Sequence, residues 1–192
     1  CVRFIENIRK RLAPQIKTNL DELGTFVSEE MRTKPIPPEY WNLSAAVYAY
    51  LYIELTKLGI DVIGESQLVG YPGQYPDVSM MNWETGKPNA RYWALKMIRD
   101  NFAPGDTLVQ TITGFMSGSD YVAQAFITGK GRKVLLLNKR NKTLRIKVPG
   151  ALRGAEQNVV HLSSGDGPPL QTKLSSDTLE LKPYAVVVAT FR

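Results

Sequence analysis

The stretch IKTNLDELGT (Ile16–Thr25) and its later counterpart IDVIGES (Ile60–Ser66) share one pattern. Ile16–Leu20 is short and β-compatible, and it runs directly into Asp21-Glu22-Leu23-Gly24-Thr25, where the glycine marks a turn. Ile60–Ile63 is a second short apolar strand, closed by Gly64-Glu65-Ser66. Each strand therefore delivers a carboxylate to its own C-terminal mouth.

Working outward, Val2–Leu12 places Val2, Ile5, Ile8 and Leu12 at helical spacing with basic residues between, and Pro14 ends the run, as in a surface helix. The connection Phe26–Tyr40 carries Pro35, Pro37 and Pro38 and is expected to be irregular, because proline lacks an N–H and fixes φ. Leu43–Leu58 reads as a helix capped by Asn42 or Ser44 and stopped by Gly59. Its stripe Tyr48, Leu51, Tyr52 and Leu55 belongs to a core, and Tyr40 and Trp41 anchor its start. A Gly/Tyr/Pro-rich loop, Gln67–Pro76, follows the second strand, and a last helix is expected over Lys87–Asn101 with Pro88 in its first turn, Trp83 and Trp93 packing against it. Helix, strand, long loop, helix, strand, long loop, helix is the rhythm of parallel β/α units, whose strand C-termini are where sites are built.

At Phe102-Ala103-Pro104-Gly105-Asp106 the pattern changes. Eight short strands are expected beyond it, at Thr107–Thr113, Tyr121–Thr128, Lys133–Asn138, Thr143–Val148, Gln157–Leu162, Leu170–Leu174, Thr178–Leu181 and Tyr184–Phe191. Short strands at this spacing point to an antiparallel sandwich. Two domains are expected, an α/β part over 1–104 and an all-β part over 105–192.

Composition restricts the chemistry. The net charge of +6 comes from scattered basic residues, which suits a solvated surface rather than a nucleic-acid interface. No run approaches the ~20 apolar residues that span a bilayer. One cysteine, Cys1, allows no internal disulfide, and with the single histidine, His161, it cannot build a usual zinc site. No metal or cofactor is therefore expected, and His161 has no Ser/Asp constellation nearby in sequence. There is no phosphate-binding glycine loop, dinucleotide fingerprint or nucleophile elbow. The chain opens at Cys1 without a signal segment and is expected to be the C-terminal part of something longer. The sequons Asn42-Leu43-Ser44 and Asn141-Lys142-Thr143 make Asn42 and Asn141 candidate glycosylation sites and suggest a secreted or lysosome-like location.

IKTNLDELGT resembles the seventh barrel strand of clan A glycoside hydrolases, where a Glu at the strand end is the nucleophile. MNWETGKPNARYWALKMI (Met81–Ile98) resembles the ending of those barrels: a short extended piece, a Gly, Lys-Pro, then the eighth helix. The strand-rich tail, with Val134-Leu135-Leu136-Leu137-Asn138-Lys139, resembles the β-sandwich beside the barrel in families 39, 79, 30 and 51, most nearly the 39-like or 79-like group. The resemblance implies a partial TIM barrel, its last two β/α units, followed by a sandwich. It also implies a retaining hydrolase acting on a glycan, with Glu22 as nucleophile and the N-terminal remainder of the barrel as partner. The clan's acid/base belongs to an Asn-Glu pair on the fourth strand, and this chain has no Asn-Glu dipeptide. The isolated chain is therefore expected to be inactive.

Retaining hydrolysis needs a nucleophilic carboxylate and a second carboxyl group ~5–5.5 Å away. Read from its residues alone, Glu22 is sooner a strand-end carboxylate bonded to the Gly24-Thr25 turn, and it is the matched position within a β/α unit that favours the nucleophile. Asp21 should face the other way, since side chains alternate along a strand. Glu65 closes the neighbouring strand, ~4.8 Å away, and could share the cleft of Glu22, although binding a sugar hydroxyl or the loop backbone suits it better. Gln67, Tyr71 and Tyr75 are candidate sugar contacts. The alternative is a non-catalytic carbohydrate-binding or structural assembly protein on a degenerate hydrolase scaffold.

Overall fold

The computed structural model describes residues 1–29, 35–70, 77–114, 120–148 and 154–191. The N-terminal part runs α1 (Val2–Leu12), β1 (Asn19–Leu23), α2 (Pro38–Leu58), β2 (Val62–Glu65), α3 (Ala90–Asn101). β1 and β2 pair in parallel across the α2 crossover, with Asn19 opposite Val62, Leu20 opposite Ile63 and Leu23 opposite Glu65. Between Leu20 and Leu23 the register slips, so β1 carries one extra residue at its C-terminal end. Such a bulge bends a strand and re-aims its side chains. Simple alternation, which would set Asp21 opposite to Glu22, is lost there, and both carboxylates are exposed.

Three expectations about helix ends need correction. α2 starts at Pro38, inside the segment expected to be irregular, because a proline with preset φ is well tolerated at the first helical position, where no N–H partner is needed. Asn42 and Ser44 are therefore interior residues, not caps, whereas Gly59 does end the helix in the left-handed conformation (φ 78°). α3 begins at Ala90, capped by the Asn89 side chain accepting from the Arg91 N–H, so Pro88 precedes it. Trp93 packs on the core, but Trp83 is exposed.

The C-terminal part contains β3 (Thr107–Val109), β4 (Tyr121–Thr128), β5 (Gly131–Asn138), β6 (Leu144–Lys147), β7 (Glu156–Val160), β8 (Leu170–Lys173), β9 (Thr178–Leu181) and β10 (Val186–Phe191). Six strands form one antiparallel sheet in the order β3-β4-β5-β10-β7-β8, and β6 pairs with β9 separately. The continuous apolar runs Leu135-Leu136-Leu137 and Val186-Val187-Val188 follow from burial on both faces. Leu135, Leu137, Val186 and Val188 pack with Ala45, Ala49, Ile53, Ala94 and Ile98 of α2 and α3. Leu136, Val187 and Ala189 face the opposite way, onto Ile146 of β6 and Leu179 and Leu181 of β9. The helices and the large sheet thus share one core, which seats the β1–β2 strand ends against the α2–α3 pair.

α1 does the reverse of an ordinary surface helix. Its buried residue is Glu6, held by Arg9 (3.0 Å) and by the Thr18 hydroxyl, while Phe4 (68% exposed), Ile5, Ile8 and Leu12 (71%) face water.

At Gly64 the neighbouring backbone leaves no room for a side chain: a β-carbon there would lie 2.3 Å from the Asp21 carbonyl oxygen. Gly64→Ala is expected to cost about 3 kcal/mol or more of unfolding free energy in urea melts, since backbone on the partner strand must move. Gly129→Ala, with no atom within 4 Å and an ordinary φ, is the matched control and should change stability by less than about 0.5 kcal/mol.

Candidate functional site

The mouth of the parallel pair brings Glu22 and Ser66 together. Ser66 follows β2 and is buried (5% exposed). Its N–H donates to the Leu23 carbonyl (2.8 Å), its own carbonyl accepts from the Tyr48 hydroxyl (2.7 Å), and its hydroxyl donates to Glu22 Oε1 (2.7 Å). Glu22 is thus an exposed carboxylate with one oxygen held from the adjoining strand end, rather than by the Gly24-Thr25 turn.

Beneath the strand ends lies a buried polar cluster around Arg91 of α3, a fully buried side chain. Its Nη1 donates to the Asp77 carbonyl (2.6 Å), and its Nη2 donates to the Tyr48 hydroxyl (2.6 Å) and Thr25 Oγ1 (3.1 Å). The guanidinium carbon sits 4.9 Å from the Tyr48 ring centroid and 5.6 Å from that of Trp41, within cation–π range. The Tyr40 hydroxyl lies 2.8 Å from the Thr25 carbonyl and 3.0 Å from the Asp77 carbonyl, while Asp77 Oδ2 accepts from the Val27 N–H (2.7 Å). Loops that follow both strands are thereby fastened to α2 and α3. Burial pushes the Tyr48 phenol up to about 12, against the pull of Arg91, so it remains a hydrogen-bond donor at any physiological pH.

Glu65 differs from Glu22. Burial pushes its carboxyl up to about 8, with the Arg91 charge opposing the shift, and its charge is felt at Tyr48. Its Oε2 is out of contact with water and has no hydrogen-bond partner among the described residues. At neutral pH the group is mainly protonated, a neutral acid facing the Arg91–Tyr48 cluster, and among the described residues no loop backbone group bonds to it.

Gln67 is exposed, and its backbone is tied to the returning chain through Val78 O (3.1 Å) and Met80 N (2.9 Å). Tyr71 and Tyr75 lie outside the described residues. Asn141 is exposed in the turn between β5 and β6. Asn42 is buried (3% exposed) in the interior of α2, with Ser44 beside it packed against Thr25, so the folded helix leaves no room for a glycan at Asn42. The His161 ring accepts from the Ser163 N–H (3.0 Å) as a cap of a short 3-10 turn, Leu162–Ser164. Among the described residues no cluster of three or more His, Cys, Asp or Glu could hold a metal ion, and no helix is long and apolar enough to cross a membrane.

Ser66 and Arg91 were not singled out by sequence. Arg91 had a signal: it shares a helical face with Ala94 and Ile98, where a charge has no reason to sit unless it is paired inside. Ser66 had none, because a serine after a strand is ordinary.

No family model matches the sequence, and no curated protein does. Solved structures do match. A conserved exported protein from Bacteroides fragilis aligns with a TM-score of 0.68 and 12% identity, over 99% of this chain and 42% of its own. A glycoside hydrolase family 30 subfamily 8 xylanase from Clostridium acetobutylicum aligns at 0.63 and 10% identity, over 91% of this chain and 43% of its own. A β-porphyranase of glycoside hydrolase family 86 from Bacteroides plebeius aligns at 0.63 and 12% identity, over 100% and 38%. The likeness is one of fold, a fold found in glycoside hydrolases, and the chain spans less than half the length of these structures.

Arg91→Lys keeps the charge but loses the planar fork, leaving the Asp77 carbonyl or Thr25 short of a donor. A loss of about 2–3 kcal/mol in denaturant melts is expected. Glu65 gives a pH signature. Unfolded, it ionises near 4.5, whereas folded it keeps its proton to about 8. Between those values the unfolded chain binds fewer protons, so the contribution of Glu65 to stability is full below 4.5 and is lost as pH rises through 8. Glu65→Gln removes that loss. Its stability relative to the parent should therefore climb between pH 5 and 8, by at most about 1.4 kcal/mol per pH unit and less where water still screens the carboxyl, as read from urea melts across that range.

Proposed function

We propose that the chain is the C-terminal portion of a retaining glycoside hydrolase acting on a glycan, with Glu22 as the nucleophile. On this reading residues 1–104 are the last two β/α units of an eight-stranded barrel and residues 105–192 the accompanying sandwich. β1 and β2 are then its seventh and eighth strands, and the general acid/base belongs to an upstream part of the same polypeptide. The observation that carries the reading is the placement of Glu22. It is an exposed carboxylate at the C-terminal end of a parallel strand, held through Oε1 by a hydroxyl from the end of the next strand. That edge is where parallel β/α folds assemble their sites.

Further support comes from the surfaces left uncovered. The two-stranded parallel sheet has open edges on both sides among the described residues, and α1 exposes Phe4, Ile5, Ile8 and Leu12. Open strand edges and grouped exposed apolar side chains are surfaces that proteins ordinarily cover. Preceding β/α units would supply a cover, with a strand alongside β1 and a helix over α1.

The chemistry then runs in two steps. A Glu22 oxygen bonds to the anomeric carbon as the bond to the leaving oxygen breaks, and that oxygen takes a proton from the acid/base. Water, deprotonated by the same group, then releases the sugar and frees Glu22. Gln67, Tyr71 and Tyr75 are proposed sugar contacts. Glu65, neutral and turned toward Arg91, supports the cleft instead of serving as the second catalytic carboxyl.

Treating the full polypeptide that carries this chain with 2-deoxy-2-fluoroglycosides bearing an activated leaving group, followed by peptide mapping, tests the assignment. A label on Glu22 is expected. A label on another carboxylate would end the assignment, and glycan binding with neither label nor turnover would favour the non-catalytic scaffold.

A further inference from the structure

We infer that Ser66 is the positioning residue for Glu22, the hydroxyl that selects which carboxylate oxygen attacks; this rests on the nucleophile assignment proposed above. An exposed glutamate has several rotamers open to it, and fixing one costs conformational entropy that something must offset. Here the donor is itself immobile. Ser66 is buried, and its backbone is held on both sides, by its N–H to Leu23 O (2.8 Å) and its carbonyl to the Tyr48 hydroxyl (2.7 Å). Tyr48 is in turn held by Arg91 Nη2 (2.6 Å). The chain Arg91, Tyr48, Ser66, Glu22 therefore runs from a fully buried charge to an exposed carboxylate, each link a hydrogen bond of 2.6–2.7 Å.

The geometry has a chemical consequence. Ser66 occupies Oε1, and Oε2 has no protein hydrogen bond among the described residues, so Oε2 is the oxygen presented for attack. In the glycosyl-enzyme the ester forms through Oε2, and Ser66 then bonds to the carbonyl oxygen of that ester. The same donor serves before and after bond formation without moving.

The test compares parent, Ser66→Ala and Ser66→Thr in the full polypeptide, measuring inactivation by a 2-deoxy-2-fluoroglycosyl fluoride alongside melting temperature. This probe reads formation of the glycosyl-enzyme and makes little demand on the acid. Ser66→Ala is expected to slow the limiting inactivation rate about tenfold, as for a lost hydrogen bond to a charged group, with the half-saturating concentration and melting temperature nearly unchanged. Ser66→Thr, which keeps the hydroxyl, should recover most of the rate. An alanine variant as fast as the parent overturns the inference while Glu22 stays labelled and the hydrolase reading stands. A rate loss that tracks the melting temperature equally in both variants also overturns it, by assigning Ser66 a purely structural role. If the parent is labelled away from Glu22, the reading itself fails and the inference falls with it.

Discussion

The guanidinium of Arg91 is the point on which the strand-end architecture depends. A charge with no exposed surface is costly to bury, and it is tolerated only where its donors are used and its faces covered. Arg91 meets those terms through both terminal nitrogens, which reach the Asp77 carbonyl, Thr25 Oγ1 and the Tyr48 hydroxyl, and through the rings of Tyr48 and Trp41, while its Nε is buried without a hydrogen-bond partner among the described residues. Each of these partners comes from a different place: the loop after β1, the loop returning from β2, and two turns of α2. Satisfying one side chain thus fixes the relative positions of four segments.

That constraint explains how two carboxylates on adjacent strands come to differ. Glu22 lies on the bulged end of β1, in water, with one oxygen bonded to Ser66. Glu65 lies at the end of β2 with its Oε2 out of contact with water, and burial pushes its carboxyl up to about 8 against the opposing charge of Arg91. The neutral carboxyl of Glu65 belongs with the Arg91–Tyr48 cluster, whose charge and phenol are the groups it is coupled to.

The C-terminal sheet serves the same site at one remove. Because β5 and β10 are apolar on both faces, the sheet packs on the small β6–β9 pair with one face and on α2 and α3 with the other. The helices that carry Tyr48 and Arg91 are therefore backed by a rigid layer. Local stiffness of this kind suits a hydrogen-bonded relay, since each link depends on sub-ångström placement.

Much of this was legible in the residues themselves. Alternation and turn signals marked the strands, even to the identical bounds Tyr121–Thr128 and Thr178–Leu181, because strand formation in an antiparallel sheet follows a period-2 pattern that neighbouring residues carry. Local pattern also placed a carboxylate at the end of each parallel strand. What the tertiary structure alone decided is the state and company of those groups: Glu22 bonded to a serine 44 positions away, Arg91 reaching a threonine 66 positions away, Asn42 turned inward, and the apolar face of α1 turned out. A periodic pattern tells which face of an element is apolar, but not what lies opposite it. Burial, hydrogen-bond partners and acidity are set by segments distant in sequence, and these exist only once the chain has closed on itself.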